Sequence, residues 1–185
     1  MSEELGSVLL VDDQATNLEV LSRLLGDHGY RTRAVTSGAR ALEAAQASPP
    51  ECILLDVAMP EMDGFATCRA LLGVPELSDV PVVFVTAFDD HTHKLQGFAA
   101  GGRDYVTKPF NAEEVLARVG THVHGFRMAR ELKRQNELLL NANTQLEQLS
   151  TMRSRLSSTL VHDLRSPLMV MGALLTSPEE SRNRG

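Results

Sequence analysis

The chain has 185 residues, 43% hydrophobic and 4% aromatic, with 18 basic against 24 acidic side chains and a net charge of −6. That balance suits one aliphatic-cored globular domain plus an extension and excludes a disordered chain, while the longest apolar run, "VPVVFVTAF", is too short to cross a bilayer. Residues 1–124 hold 9 basic and 18 acidic groups and residues 125–185 hold 9 and 6; the basic excess of the tail follows a helical pattern almost without aromatics, which argues against a nucleic-acid surface.

The N-terminus, "MSEELGS", has neither a basic start nor an apolar core for export, so the expected location is the cytoplasm. From there the pattern alternates. Short apolar runs at 7–11, 31–35, 52–56, 81–86 and 104–107 read as strands. Helical periodicity fills 14–28, with Leu18, Leu21, Leu24 and Leu25 on one face, then 38–47, 64–72 and 92–100, and a fifth helix starts near Asn111. Three of the strands are almost wholly apolar, as strands covered by helices on both faces are, so five βα units predict a doubly wound parallel α/β sheet. Cys52 and Cys68 fall inside predicted buried elements and read as reduced packing residues rather than a disulfide or metal pair. His91 and His93, like His122 and His124, are spaced too closely to share one helix face, so they and His28 read as surface or packing residues.

In such a sheet ligands collect at the carboxyl ends of the strands. Here strand one ends in Asp12 and Asp13, strand three in Asp56, strand four in Thr86 and strand five in Lys108–Pro109. Three converging carboxylates repel one another unless a cation sits among them, and hard oxygen ligands suit Mg²⁺. With a hydroxyl and an ammonium added, the pocket matches a phosphoryl group. Asp56 is placed for in-line attack on phosphorus, and Thr86 and Lys108 answer the equatorial oxygens.

"VLLVDD", "CILLDVAMPEMDG", "VVFVTA" and "DYVTKPF", in this order, resemble the receiver domain of two-component response regulators over about residues 5–122. The resemblance implies a flavodoxin-like fold with strand order 2-1-3-4-5 and Asp56 as phosphoacceptor. It implies Mg²⁺ held by Asp12, Asp13, Asp56 and the carbonyl of Ala58, and Thr86 and Lys108 moving toward the phosphoryl group. It also implies a cis Lys108–Pro109 bond and Tyr105 as the aromatic switch that turns inward when Thr86 moves. Ala58 and Phe88 occupy positions that resemble those tuning dephosphorylation.

From Asn111 to about Leu175 the chain reads as one long helix. Met128, Leu132, Leu139, Ala142, Leu146, Leu149, Leu156 and Leu160 follow a 4,3 spacing interrupted by Gln135 and Arg153, the pattern of a coiled coil. A lone helix of this kind would expose its leucine seam, so a parallel homodimer is expected, with Gly120 and Gly125 as a possible hinge between domain and coil. If the helix is straight, the roughly 51 residues between Asn111 and His162 span on the order of 75 Å.

His162 lies off the seam, with Asp163 beside it and Pro167 one turn on. "LVHDLRSPLM" resembles the H-box of the dimerisation and phosphotransfer domain of sensor histidine kinases. By that resemblance His162 accepts a phosphoryl group, Asp163 serves as its base and Ser166 assists the reverse reaction. Nothing in the sequence resembles the Asn-box or the Gly-rich lid of a kinase ATP domain. The expected organisation is thus a receiver domain (1–122), a coiled-coil linker (123–155) and the first helix of a phosphotransfer domain (156–185). It would form part of a histidine kinase, with a cognate histidine kinase or phosphotransfer protein as partner. The competing expectation is a non-catalytic, phosphorylation-controlled dimerisation switch in which His162 is vestigial.

Overall fold

The computed structural model describes residues 4–87 and 91–175, with the side chains of 91–94, 151 and 154–175 outside that description. Phe88 and residues 176–185 therefore lie outside the described residues. In chain order the elements are β1 (Gly6–Val11), α1 (Ala15–Asp27), β2 (Tyr30–Val35), α2 (Gly38–Ala47), β3 (Cys52–Asp56), α3 (Gly64–Leu72), a 3₁₀ turn at Pro75–Leu77, β4 (Val82–Thr86), α4 (His91–Ala99), β5 (Asp104–Thr107) and α5 (Ala112–Leu175). All strand pairs are parallel, in the order β2-β1-β3-β4-β5. This is the order that the receiver resemblance implies.

The alternation of side chains along each strand divides the core between the two faces of the sheet. On one face Leu9, Val11, Ile53, Leu55, Val82 and Phe84 pack with Ala41 and Ala45 of α2 and Cys68 and Leu71 of α3. On the other, Val8, Leu10, Leu54, Val83, Val85 and Val106 meet Leu18, Leu21 and Leu25 of α1 and Val115, Val119 and Val123 of α5. Each such aliphatic side chain, fully buried, contributes about 1.5–3 kcal/mol of transfer free energy. β3 and β4 are buried along their whole length and β1 at all but Ser7, because they face both layers, and their other polar residues are the strand-end Asp56 and Thr86, whereas the edge strand β2 is only half-buried. Both cysteines are free and buried, and burial pushes their thiols up to about 12 for Cys52 and about 11 for Cys68.

Local chemistry sets the helix starts. Ser37 accepts from the Arg40 amide at the head of α2, Asp63 from the Ala66 amide at the head of α3, and Asn111 from the amides of Glu113 and Glu114 at the head of α5. These oxygens satisfy amides that the first helical turn leaves open.

By its contacts the chain divides after Glu131 into two units, Met1–Glu131 and Leu132–Gly185. α5 is one unbroken helix through Gly120, Gly125 and Pro167. Gly120 answers a close approach, because a Cβ there would stand 3.3 Å from the Tyr30 hydroxyl, whereas one at Gly125 would meet open space. The first unit's part of α5 is held beyond residue 122. Val123 is buried against the sheet, and Arg127 makes a two-pronged bond (2.8 and 2.9 Å) to Glu51, whose carboxylate also accepts from the Ser7 amide at 3.0 Å. Burial alone would raise the Glu51 pKa, but Arg127 and the Ser7 amide outweigh it and hold the carboxyl below its ordinary range. In the second unit Leu132, Leu138, Leu139, Leu140, Leu146, Leu149 and Met152 are all more than half exposed. No helix among the described residues is long and apolar enough to cross a membrane.

Candidate phosphoryl-acceptor site

β1, β3 and β4 deliver Asp12, Asp56 and Thr86 to one end of the sheet, all three buried. The exposed Asp13 completes a cluster with Asp12 and Asp56 in which one carboxylate oxygen from each lies within 4.8 Å of the others. It is the one such group of potential metal ligands among the described residues. Lys108 reaches in from the loop after β5 and sets its Nζ 2.9 Å from Asp12 Oδ2 and 3.1 Å from Asp56 Oδ2. The Lys108–Pro109 bond is cis, and the Lys108 amide donates to the Thr86 carbonyl at 2.8 Å.

Electrostatics follow from that crowding. Burial first, and then the charge of Asp12, raise the pKa of Asp56; Lys108 and the Ala58 amide oppose the rise without cancelling it. For Lys108 burial works downward, but its bonds to Asp12 and Asp56 outweigh it and raise the ammonium pKa. The site therefore holds more negative charge than its single ammonium neutralises, and that surplus favours a divalent cation. The donor set fits Mg²⁺: carboxylate oxygens near Ala58, an exposed residue, with a solvent-facing side at Asp13.

The backbone is shaped around the central carboxylate. A Cβ at Gly64 would stand 2.3 Å from the carbonyl oxygen of Asp56, so only glycine lets α3 begin this close to the end of β3. Asn17, on the first turn of α1, donates from Nδ2 to both Asp12 oxygens at 3.0 and 2.9 Å, and the Gln14 amide donates to Asp12 Oδ1 at 2.9 Å. Together these bonds fix the Asp12 carboxylate. Sequence reading missed Asn17, although its position five residues after Asp12, one turn into a helix that follows a strand, was the available signal.

Tyr105 is half-buried on β5 and lines an apolar recess beside Thr86 together with Val57, Phe65, Phe84 and Phe98. His122, read from sequence as a surface or packing residue, is partly buried with its Nε2 3.1 Å from Asp104 Oδ2. For His162, Asp163 and Ser166 only the helical backbone is described; their side chains lie outside the described residues.

A family model, the response regulator receiver domain, matches residues 8–120. The chain is 39% identical over 121 residues to the transcriptional regulatory protein YvrH of Bacillus subtilis, covering 65% of this chain and 50% of that protein. Over 112 residues it is 39% identical to the response regulator PleD of Caulobacter vibrioides, covering 60% of this chain and 25% of PleD. The chain thus spans half or less of these curated relatives. Among solved structures it is similar to the signal receiver domain of a signal transduction histidine kinase from Syntrophus aciditrophicus, at 35% identity and TM-score 0.61 over 65% of this chain and 91% of that one. The chemotaxis protein CheY4 of Vibrio cholerae matches at 32% identity and TM-score 0.60, covering 61% of this chain and 94% of that one.

Proposed function

This chain belongs to the response regulator receiver domain family, and from that premise we propose that Asp56 accepts a phosphoryl group in two-component signalling. The observation that carries the reading is the buried carboxylate of Asp56 gathered with Asp12 and Asp13 and touched by Lys108 at 3.1 Å. In this reading Asp12, Asp13, Asp56 and the Ala58 carbonyl hold Mg²⁺, which when bound neutralises the carboxylates and the oxygens of the incoming phosphoryl group. Asp56 supplies the attacking oxygen, and the acyl phosphate forms as the donor's leaving group departs with the bond electrons. Lys108 exchanges a carboxylate partner for a phosphoryl oxygen, and Thr86, at the neighbouring strand end, donates its hydroxyl to another. Tyr105 follows Thr86 inward.

The proposal extends to the second unit. The exposed leucine seam pairs with that of a second copy in a coiled coil, and His162, with Asp163 as base, is the H-box histidine of a kinase phosphotransfer helix. The occurrence of a similar receiver in a histidine kinase of Syntrophus aciditrophicus supports that combination. A cognate kinase or phosphotransfer protein supplies the phosphoryl group.

The test uses the 185-residue chain with Mg²⁺ and acetyl phosphate. Intact-mass measurement should show one phosphoryl adduct on the parent and none on Asp56→Asn. An adduct retained in the Asn variant, or absent from the parent, overturns the assignment.

A further inference from the structure

Tyr105 does not stand alone at the rim of the recess beside Thr86. The guanidinium carbon of Arg118, on α5, lies 5.4 Å from the centroid of the Tyr105 ring. The same guanidinium is gripped on its edges by two carboxylates: its Nη1 lies 2.6 Å from Asp104 Oδ1, and its Nε and Nη2 lie 2.9 and 2.8 Å from Glu114 Oε1. Asp104 in turn accepts from the Tyr105 amide at 2.9 Å and meets His122 at 3.1 Å. β5 thus presents two successive residues to one arginine, a carboxylate to its edge and an aromatic ring beneath its cationic carbon. Arg118 is one-third exposed, and the carboxylates leave it little freedom to follow the ring.

We propose that Arg118 is a positioning residue that holds the half-buried Tyr105 ring under its guanidinium, at the wall of the recess lined by Val57, Phe65, Phe84, Thr86 and Phe98, and opposes its movement further inward. The inference rests on the reading of Tyr105 as the residue that follows Thr86 inward. The ring can swing only by leaving the guanidinium, while the guanidinium stays with Asp104 and Glu114. A cation–π contact of this exposure shifts a two-state equilibrium by about two- to fivefold. Because an acyl-phosphate mimic binds the inward state more tightly, its apparent affinity scales with the population of that state. Loss of a merely structural ion pair would weaken such binding. Loss of this contact should tighten it.

The chain has two tyrosines and no tryptophan, so in a Tyr30→Phe background tyrosine emission reports on Tyr105 alone. Beryllofluoride is titrated in excess Mg²⁺. The background should give a saturable emission change, Arg118→Ala should lower the half-saturating concentration about two- to fivefold, and Arg118→Lys, which keeps a cation in place, should fall between. If Arg118→Ala does not fold, Glu114→Gln loosens the guanidinium and should act in the same direction with smaller effect. An unchanged or raised half-saturation in the folded variants overturns the role of Arg118 while leaving Tyr105 as the switch. A background in which Asp56 is phosphorylated by acetyl phosphate but Tyr105 emission never responds overturns both.

Discussion

Asp56 pays for its central position with burial beside a second carboxylate. Its folded-state pKa lies above the unfolded value because burial and Asp12 together outweigh Lys108. The folded protein therefore keeps the Asp56 proton longer than the unfolded chain does. The resulting stabilisation is present below the unfolded pKa and is lost as pH rises through the folded one. Where it is ionised, the group is a net cost to the fold. Asp56→Asn, of the same shape and unable to ionise, should raise the melting temperature at pH 7 without Mg²⁺. The difference should shrink as the pH is lowered toward the ordinary carboxylate range, and Mg²⁺ should stabilise the parent more than the variant. Thermal melts at several pH values with and without Mg²⁺ check this; a variant less stable than the parent at pH 7 would refute it. Lys108 has the opposite consequence in another window. Its raised pKa contributes stability that is complete at neutral pH and lost as alkaline pH passes the folded value.

At the scale of elements, periodicity carried most of the information. Strands at 31–35 and 104–107 and helices at 38–47 and 64–72 are found within a residue of their sequence boundaries, because a buried strand and an amphipathic helix leave different spacings in the chain. The ends of β1, β3 and β4 gave the carboxylates and the threonine for the same reason. What spacing does not record is pairing between distant side chains. Glu51 with Arg127, 76 residues apart, and Asp104 with Arg118 and His122, 14 and 18 apart, arise only once α5 has packed on the sheet. The proposed coil lies between these cases, since the leucine seam is legible while a partner helix is not part of one chain. Leu139 and Leu146 are both more than 60% exposed, and in a paired coil they become core layers one heptad apart. Leu139→Lys with Leu146→Lys sets like charges there and should convert the proposed dimer to a monomer while the receiver keeps its fold and its response to acetyl phosphate. Sedimentation velocity with circular dichroism measures both. A dimer of undiminished affinity would place the self-association on the receiver face instead.

For the whole molecule the question is whether the two acceptor residues proposed above, Asp56 and His162, would work on one phosphoryl group or on two sources. Asp56 sits in a site with what a small phosphodonor needs: a nucleophilic carboxylate, an ammonium within 3.1 Å and carboxylates suited to a divalent ion. His162 lies in α5 within the second unit, and its imidazole needs phosphorus brought within about 3–3.5 Å by some nucleotide-holding surface. No stretch of this sequence resembles a kinase nucleotide lid. In the proposed function that surface belongs to a kinase ATP domain acting on the H-box helix. This 185-residue chain, incubated with Mg²⁺ and radiolabelled ATP, should leave His162 unlabelled, and adding a phosphotransfer helix and ATP domain after it should produce acid-labile label that His162→Gln removes. Base-stable, acid-labile label on the parent chain alone would require a nucleotide site among residues 1–185. An extended chain that binds ATP yet never labels His162 would make the histidine vestigial, leaving Asp56 as the one phosphoryl acceptor and the paired helix as its output.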